Sequence, residues 1–296
     1  MRSRYRLRVR SALPLLLVAA LIASSCQSTG DGHDAPAIDH YVALGDSFTS
    51  GAGLPQTRRD AGLCDQSSLN YPHLVAKAVG AQLTDVSCGG ATTENGTQPQ
   101  PRGDGSAPWP PQLDAVTEAA DLVTVGLGGN DFSWYLGVMF SCTSAAGLDP
   151  NGNPCEQQGT SPASDITALP AQIGTRVEAL LTEAHRRAPD ARVLLVGYPQ
   201  LVPAHGTCPE LPLATGDYPF VRAQWAALDD AMRRAAAAAG ATFVDVLGPS
   251  EGHDICAGAD AWVNGATTVP GVAASYHPLA AGQAAVAELV QRALAE

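Results

Sequence analysis

The stretch Val42-Ala43-Leu44-Gly45-Asp46-Ser47-Phe48 reads as an apolar strand that stops at a glycine and hands a serine to the first turn beyond it. A short run that is apolar throughout, without alternation, suits a strand covered on both faces. Short, largely apolar and mostly unalternating runs recur at 82–86, 122–125, 193–196 and 242–246, with 41–44 as the first of the set. Helical periodicity fills the intervals. Ile173, Val177, Leu180, Leu181 and Ala184 share one face, as do Val221, Trp225, Leu228, Met232 and Ala235. A last helix is expected to begin at Pro278 and to carry Val286, Leu289, Val290 and Ala293. Five strands alternating with helices predict a doubly wound, three-layer α/β/α domain on a mainly parallel sheet. In such sheets reactive groups gather at the carboxyl ends of strands, and Ser47 and Asn130 both follow strands.

A serine hydroxyl is a weak nucleophile until a base takes its proton. Of seven histidines, His277 in Ser275-Tyr276-His277-Pro278 stands on a loop at an element boundary, where a reactive ring can project. Gly128-Gly129-Asn130-Asp131 offers donors for a developing oxyanion. Serine, donors and late histidine are the parts of an acyl-transfer site. A second serine run, Gly248-Pro249-Ser250-Glu251-Gly252, fits G-x-S-x-G literally. Such an elbow needs a helix directly afterwards, and a loop with a cysteine follows instead.

Composition narrows the setting. The chain has 296 residues, 45% hydrophobic, with a formal net charge of −12. Residues 1–26 read as an export signal: Arg2, Arg4, Arg6, Arg8 and Arg10, an apolar run, then small residues up to Cys26. Its removal takes five cations and no carboxylate, so the remainder is more acidic still. Such a surface repels nucleic acid, which is excluded as a partner. Residues 27–37 read as a polar tether and 38–296 as one domain. Ala23-Ser24-Ser25-Cys26 resembles a lipobox, with Cys26 lipidated, although leucine is usual where Ala23 stands. The protein is therefore expected to be exported, either anchored at Cys26 as a cell-surface lipoprotein or secreted. Any contact with a membrane is assigned to that anchor, and the chain is expected to be a monomer.

Cys64, Cys88, Cys142, Cys155, Cys208 and Cys256 then remain, an even number suited to three disulfides in an oxidising compartment. No pair has C-x-x-C spacing, which disfavours a metal site. Six cysteines allow 15 connectivities, so spacing leaves the pairing open. Three long insertions, at 98–112, 132–170 and 248–274, interrupt the α/β pattern.

In order along the chain, Gly45-Asp46-Ser47, Cys88-Gly89-Gly90-Ala91-Thr92, Gly128-Gly129-Asn130-Asp131 and Tyr276-His277-Pro278 resemble the four blocks of the SGNH/GDSL hydrolases, within them the secreted actinobacterial lipase-esterase branch. The resemblance spans 38–296 and implies a flavodoxin-like fold with five strands. It also implies a cofactor-independent carboxylic ester hydrolase, a lipase or esterase acting on small-molecule or lipid esters. By this likeness Ser47 is the nucleophile and His277 the base. The Ser47 and Gly90 N–H groups and the Asn130 amide form the oxyanion hole, where one donor is worth roughly 2.7–4 kcal/mol. The implied disulfides are Cys64–Cys88, Cys142–Cys155 and Cys208–Cys256. Most of the family has aspartate three residues before the histidine, where this chain has Ala274. The Ala274 carbonyl is expected to orient the imidazole instead, giving a dyad, with Asp245, Asp254 or Asp260 as alternative third members. Trp109, Phe132, Trp134, Tyr135, Phe140 and Trp262 are candidates for lining an acyl groove. Two other readings stay open: a carbohydrate acetyl esterase on the same fold, and a surface binding protein on a retired hydrolase scaffold.

Overall fold

Parallel strands that run apolar on every residue have to be covered above and below, and the computed structural model has that layering. It describes residues 37–58, 62–161 and 165–296. The export signal, Cys26 and the tether up to residue 36 lie outside the described residues. Strands β1 (His40–Gly45), β2 (Gln82–Asp85), β3 (Leu122–Gly126), β4 (Arg192–Val196) and β5 (Thr242–Val244) form one sheet in the order β2-β1-β3-β4-β5. Every pairing is parallel. The helices are α1 (Ser47–Ser50), α2 (Tyr71–Val79), α3 (Cys142–Ala145), α4 (Pro154–Gly159), α5 (Leu169–Arg187), α6 (Tyr218–Ala239) and α7 (Ala280–Ala295).

Because successive strand residues face opposite ways, one sheet builds two cores. Val42, Leu44, Val123, Val125, Val193 and Leu195 pack on one side with Ile173, Val177 and Leu181 of α5 and Val221, Trp225, Leu228 and Met232 of α6. Tyr41, Ala43, Leu122, Leu194 and Val196 pack on the other with Val75 of α2 and Val286, Leu289 and Val290 of α7. Tyr41 keeps its hydroxyl satisfied there by a 2.8 Å bond with Thr124 on the neighbouring strand. Among the described residues no helix is long and apolar enough to cross a membrane.

The last helix starts at Ala280 rather than at Pro278. Pro278 is held in an antiparallel bridge to Val263, and Leu279 is still extended as the cap. The insertion at 132–170 is less irregular than expected, since it holds a π-turn at Leu136–Ser141 together with α3 and α4. The three disulfides are Cys64–Cys88, Cys142–Cys155 and Cys208–Cys256.

Packing explains the glycine that ends β1. Gly45 pairs with Gly126 of β3, and the Thr49 side chain of α1 lies over both. A methyl on Gly45 would sit 2.1 Å from Thr49 Oγ1, and one on Gly126 would sit 2.4 Å from it. Bare backbone on two strands is what lets α1 settle directly on the sheet and carry Ser47 to its carboxyl edge.

Candidate active site

Ser47 opens α1. The turn is capped by Asp46, whose Oδ1 accepts from the Phe48 N–H at 2.9 Å. A buried glutamine fastens the strand end before it: the Gln112 amide both accepts from the Gly45 N–H (2.8 Å) and donates to the Gly45 carbonyl (2.9 Å). A second buried glutamine, Gln283 of α7, donates to the Phe48 carbonyl and accepts from the Tyr71 N–H.

His277 meets Ser47 across 230 positions, Nε2 to Oγ at 2.8 Å, and both residues are buried. Its other nitrogen, Nδ1, lies 2.7 Å from the Ser275 carbonyl. A carbonyl only accepts, so Nδ1 carries the hydrogen and Nε2 is left to accept from the Ser47 hydroxyl. This corrects the expectation for Ala274. Its carbonyl is taken by Asn264 Nδ2 and by the His277 N–H. The ring reaches one residue further along because Tyr276 adopts φ = 59°, a left-handed conformation that costs a non-glycine residue on the order of 1–3 kcal/mol. Tyr276 is held there at both ends: its N–H donates to the Gly265 carbonyl, and its own carbonyl accepts from the Tyr135 hydroxyl at 2.9 Å. None of Asp245, Asp254 and Asp260 is bonded to the ring, whose Nδ1 meets the Ser275 carbonyl and whose Nε2 meets Ser47. Asp245 accepts from Gly248 N–H, Asp254 from Cys256 N–H, and the Asp260 carbonyl is bonded to His253. Burial lowers the pKa of His277, against the Ser275 bond and the charge of Asp65, which both favour the protonated form.

The glycine block is stapled to the loop after Ser47 by Cys64–Cys88, and the Gly89 N–H donates to the Cys64 carbonyl. Gly90 takes φ = 73°, and a Cβ there would meet no atom within 4 Å. Its glycine is therefore demanded by the left-handed backbone, not by a close protein neighbour. Among the described residues, neither the Ser47 nor the Gly90 N–H is bonded to a protein acceptor. Asn130 donates one amide hydrogen to the Ala91 carbonyl at 3.0 Å, which ties it to the glycine block and leaves its second hydrogen uncommitted.

Several supporting residues were not read from the sequence. Asp131, fully buried, accepts from the Thr93 N–H and hydroxyl and lies 3.5 Å from the Arg176 guanidinium. Tyr198 follows β4, accepts from the Gly129 N–H at 2.9 Å and donates to Asp46 Oδ2 at 2.6 Å. One hydroxyl thus joins the nucleophile block to the asparagine block. Burial pushes the Asp46 carboxyl up to about 7, opposed by the Tyr198 hydroxyl and the Phe48 N–H. A signal was available for Tyr198, its place at the carboxyl end of a strand; for Gln112 there was none.

The candidate groove aromatics separate. Trp134 is fully buried against Trp225, and Trp262 stacks on His253. Trp109 lies under Arg102, and Tyr135 is buried beside His277 and Phe48. Phe132 and Phe140 alone of the six are exposed large apolar side chains. Ser250 is structural: it is buried, accepts from the Gln200 N–H and donates to the Leu247 carbonyl. Among the described residues no group of three or more His, Cys, Asp or Glu side chains is arranged to hold a metal ion.

The chain belongs to the GDSL-like lipase/acylhydrolase family, whose model matches residues 43–285. It is an ester hydrolase of that type. It is similar to Lipase 2 of Streptomyces coelicolor, with 42% identity over 265 residues that cover 86% of this chain and 84% of the relative. Two solved structures are also similar. Phospholipase A1 from Streptomyces albidoflavus NA297 has a TM-score of 0.71 at 27% identity, and the extracellular lipase from Streptomyces rimosus has 0.69 at 28%. Each alignment covers 86% of this chain and 99% of the other.

Tyr198→Phe removes the hydroxyl that serves Asp46 and Gly129 together. The expected outcome in urea denaturation is a loss of roughly 1–3 kcal/mol, the range for stranding buried polar groups. With p-nitrophenyl acetate, kcat should fall while KM holds, because Asn130 loses its footing. For the parent protein, kcat/KM should rise with pH through a midpoint below the ordinary imidazole value of 6.5 and stay level above it, since His277 acts neutral and burial depresses its protonation.

Proposed function

We propose that the chain hydrolyses carboxylic esters, fatty-acyl esters above all, through an acyl-enzyme on Ser47. The observation that carries this reading is the 2.8 Å contact between Ser47 Oγ and His277 Nε2, with Nδ1 already committed to a carbonyl. As Ser47 Oγ attacks the ester carbonyl carbon, its proton passes to Nε2 and the carbonyl electron pair moves onto oxygen. The Ser47 and Gly90 N–H groups and the Asn130 amide would receive that oxyanion. Its collapse breaks the bond to the alkoxy group, which leaves as an alcohol with the proton from Nε2. Water, deprotonated by the same nitrogen, then attacks the acyl-serine; the acyl–Oγ bond breaks, Ser47 Oγ takes the proton back from Nε2, and the acid departs. The Ser275 carbonyl contributes a dipole, not a full charge, to the imidazolium that forms in between.

The fatty-acyl assignment is supported by the similarity to the Streptomyces lipases and phospholipase. We further infer that the protein is exported, in agreement with the signal-like residues 1–26 and the three disulfides, and that residues 38–296 act as a monomeric unit.

A stopped-flow experiment with p-nitrophenyl butyrate tests the mechanism. A burst of p-nitrophenol, one equivalent per chain, is expected to precede the steady state if deacylation is slower, and mass spectrometry of the quenched protein should place the butyryl group on Ser47. Ser47→Ala should retain less than about a thousandth of the parent kcat, within the range for loss of a catalytic nucleophile. Full activity in that variant, or acylation at another residue, contradicts the reading.

A further inference from the structure

Seven large apolar side chains are exposed among the described residues, and six of them fall in two segments. Phe132, Leu136, Phe140 and Leu148 lie in one, Val269 and Val272 in the other, and only Leu63 is elsewhere. From residue 132 to 148, and again from 261 to 276, there is no Asp, Glu, Lys, Arg or His. In a chain with 29 carboxylates and a net charge of −12, two uncharged stretches of this length stand out in the sequence. In space the Arg176 guanidinium lies 4.0 Å over the Phe132 ring, so the uncharged part of the face is that of Leu136, Phe140 and Leu148. The positions of the two stretches are also informative. The first begins two residues after Asn130, and the second ends at the residue before His277.

The two segments touch. The Phe140 ring packs edge-on against Tyr276 at 5.3 Å and against Tyr135 at 6.0 Å, and Tyr135 packs against His277 at 5.7 Å. Leu136, Phe140, Ala145 and Leu148, together with Ser141, Ser144 and Gln158, line an open groove of about 500 Å³. Cys142–Cys155 fastens this segment to α4; Trp134, Val138 and Met139 of the same segment turn into the core, while Leu136, Phe140 and Leu148 remain outside. Exposed apolar surface grouped in this way costs solubility unless something covers it part of the time.

We propose that this face seats on an electrically neutral lipid surface, one with zwitterionic or uncharged headgroups, and that Leu136, Phe140 and Leu148 enter its acyl boundary. An uncharged patch adsorbs by the apolar area it buries. The acidic remainder of the molecule is repelled by anionic lipid, so neutral surfaces are favoured over anionic ones. The inference rests on the ester-hydrolase reading for its purpose, since docking there delivers an acyl ester beside Ser47 and His277, but its test is separate.

Binding is measured by co-sedimentation of the chain from Gln27 onward, which keeps the whole described domain and lacks both the cationic, apolar signal and Cys26, with phosphatidylcholine vesicles, and with Ser47→Ala so that no turnover occurs. Leu136→Glu/Leu148→Glu is expected to weaken binding at least tenfold, and Leu63→Glu to leave it unchanged. With Ser47 restored, the double variant should hydrolyse dissolved p-nitrophenyl acetate within twofold of the parent and dispersed long-chain ester at least tenfold more slowly. Binding to vesicles containing phosphatidylserine should be weaker than to phosphatidylcholine alone. The proposal is overturned if the double variant binds vesicles and hydrolyses the dispersion like the parent, if Leu63→Glu is equally damaging, or if phosphatidylserine strengthens binding. Loss of acetate hydrolysis in the parent would instead contradict the ester-hydrolase reading and leave the vesicle result standing.

Discussion

The bond from His277 Nδ1–H to the Ser275 carbonyl decides what the rest of the site can do. An imidazole has two neutral forms, and only the one with a bare Nε2 can accept from Ser47 Oγ. Here a backbone group two residues away selects that form. The selection requires Tyr276 to turn into a left-handed conformation, and the Tyr135 hydroxyl and Gly265 carbonyl pin Tyr276 in that state. Backbone strain is thereby stored next to the reacting atoms and offset by two hydrogen bonds and a buried aromatic cluster. A carboxylate in the same place would add charge stabilisation to the imidazolium. The carbonyl adds orientation and only a dipole.

The four sequence blocks are separate in the chain, three of them following the ends of β1, β2 and β3 and the fourth preceding α7, so something has to hold them in mutual register. Polar side chains do so inside an otherwise apolar setting. Gln112 clips the end of β1, Tyr198 links Asp46 to Gly129, Asp131 grips Thr93, and Asn130 grips Ala91. Each satisfies backbone groups that burial would otherwise strand, and the last three also draw one block toward another. The Asp46 carboxyl is the costly member, as its pKa near 7 reflects. The gain is a rigid frame at the point where Ser47 leaves the sheet.

Much of this frame was readable in the sequence, and the reason is local. The central strands β1, β3 and β4, buried on both faces, leave unbroken apolar runs, while the edge strands β2 and β5 leave shorter mixed ones, and all five were located to within two residues of their observed ends. Ser47, Asn130 and His277 stood out as polar residues at element ends, and Gly90 through the resemblance of its block to the SGNH/GDSL pattern. What was not readable depends on backbone angles or on distant pairings. Whether the Ala274 or the Ser275 carbonyl meets the ring turns on one φ value at Tyr276, and no composition rule reports it. Gln112 with Gly45 and Tyr198 with Asp46 are partners across 67 and 152 positions. The aromatic residues of the long insertion do not share one fate: Trp134, before the π-turn, is buried, and Phe140, on it, is exposed, a difference that composition does not report.

The central claim concerns one proton, and nitrogen NMR observes it directly. With ¹⁵N-labelled histidine at pH 7, His277 should show Nδ1 as the protonated, pyrrole-type nitrogen, with its hydrogen shifted downfield by the bond to Ser275. Nε2 should appear as the unprotonated, pyridine-type nitrogen. A His277 signal with the hydrogen on Nε2 would leave Ser47 without a base and contradict the account.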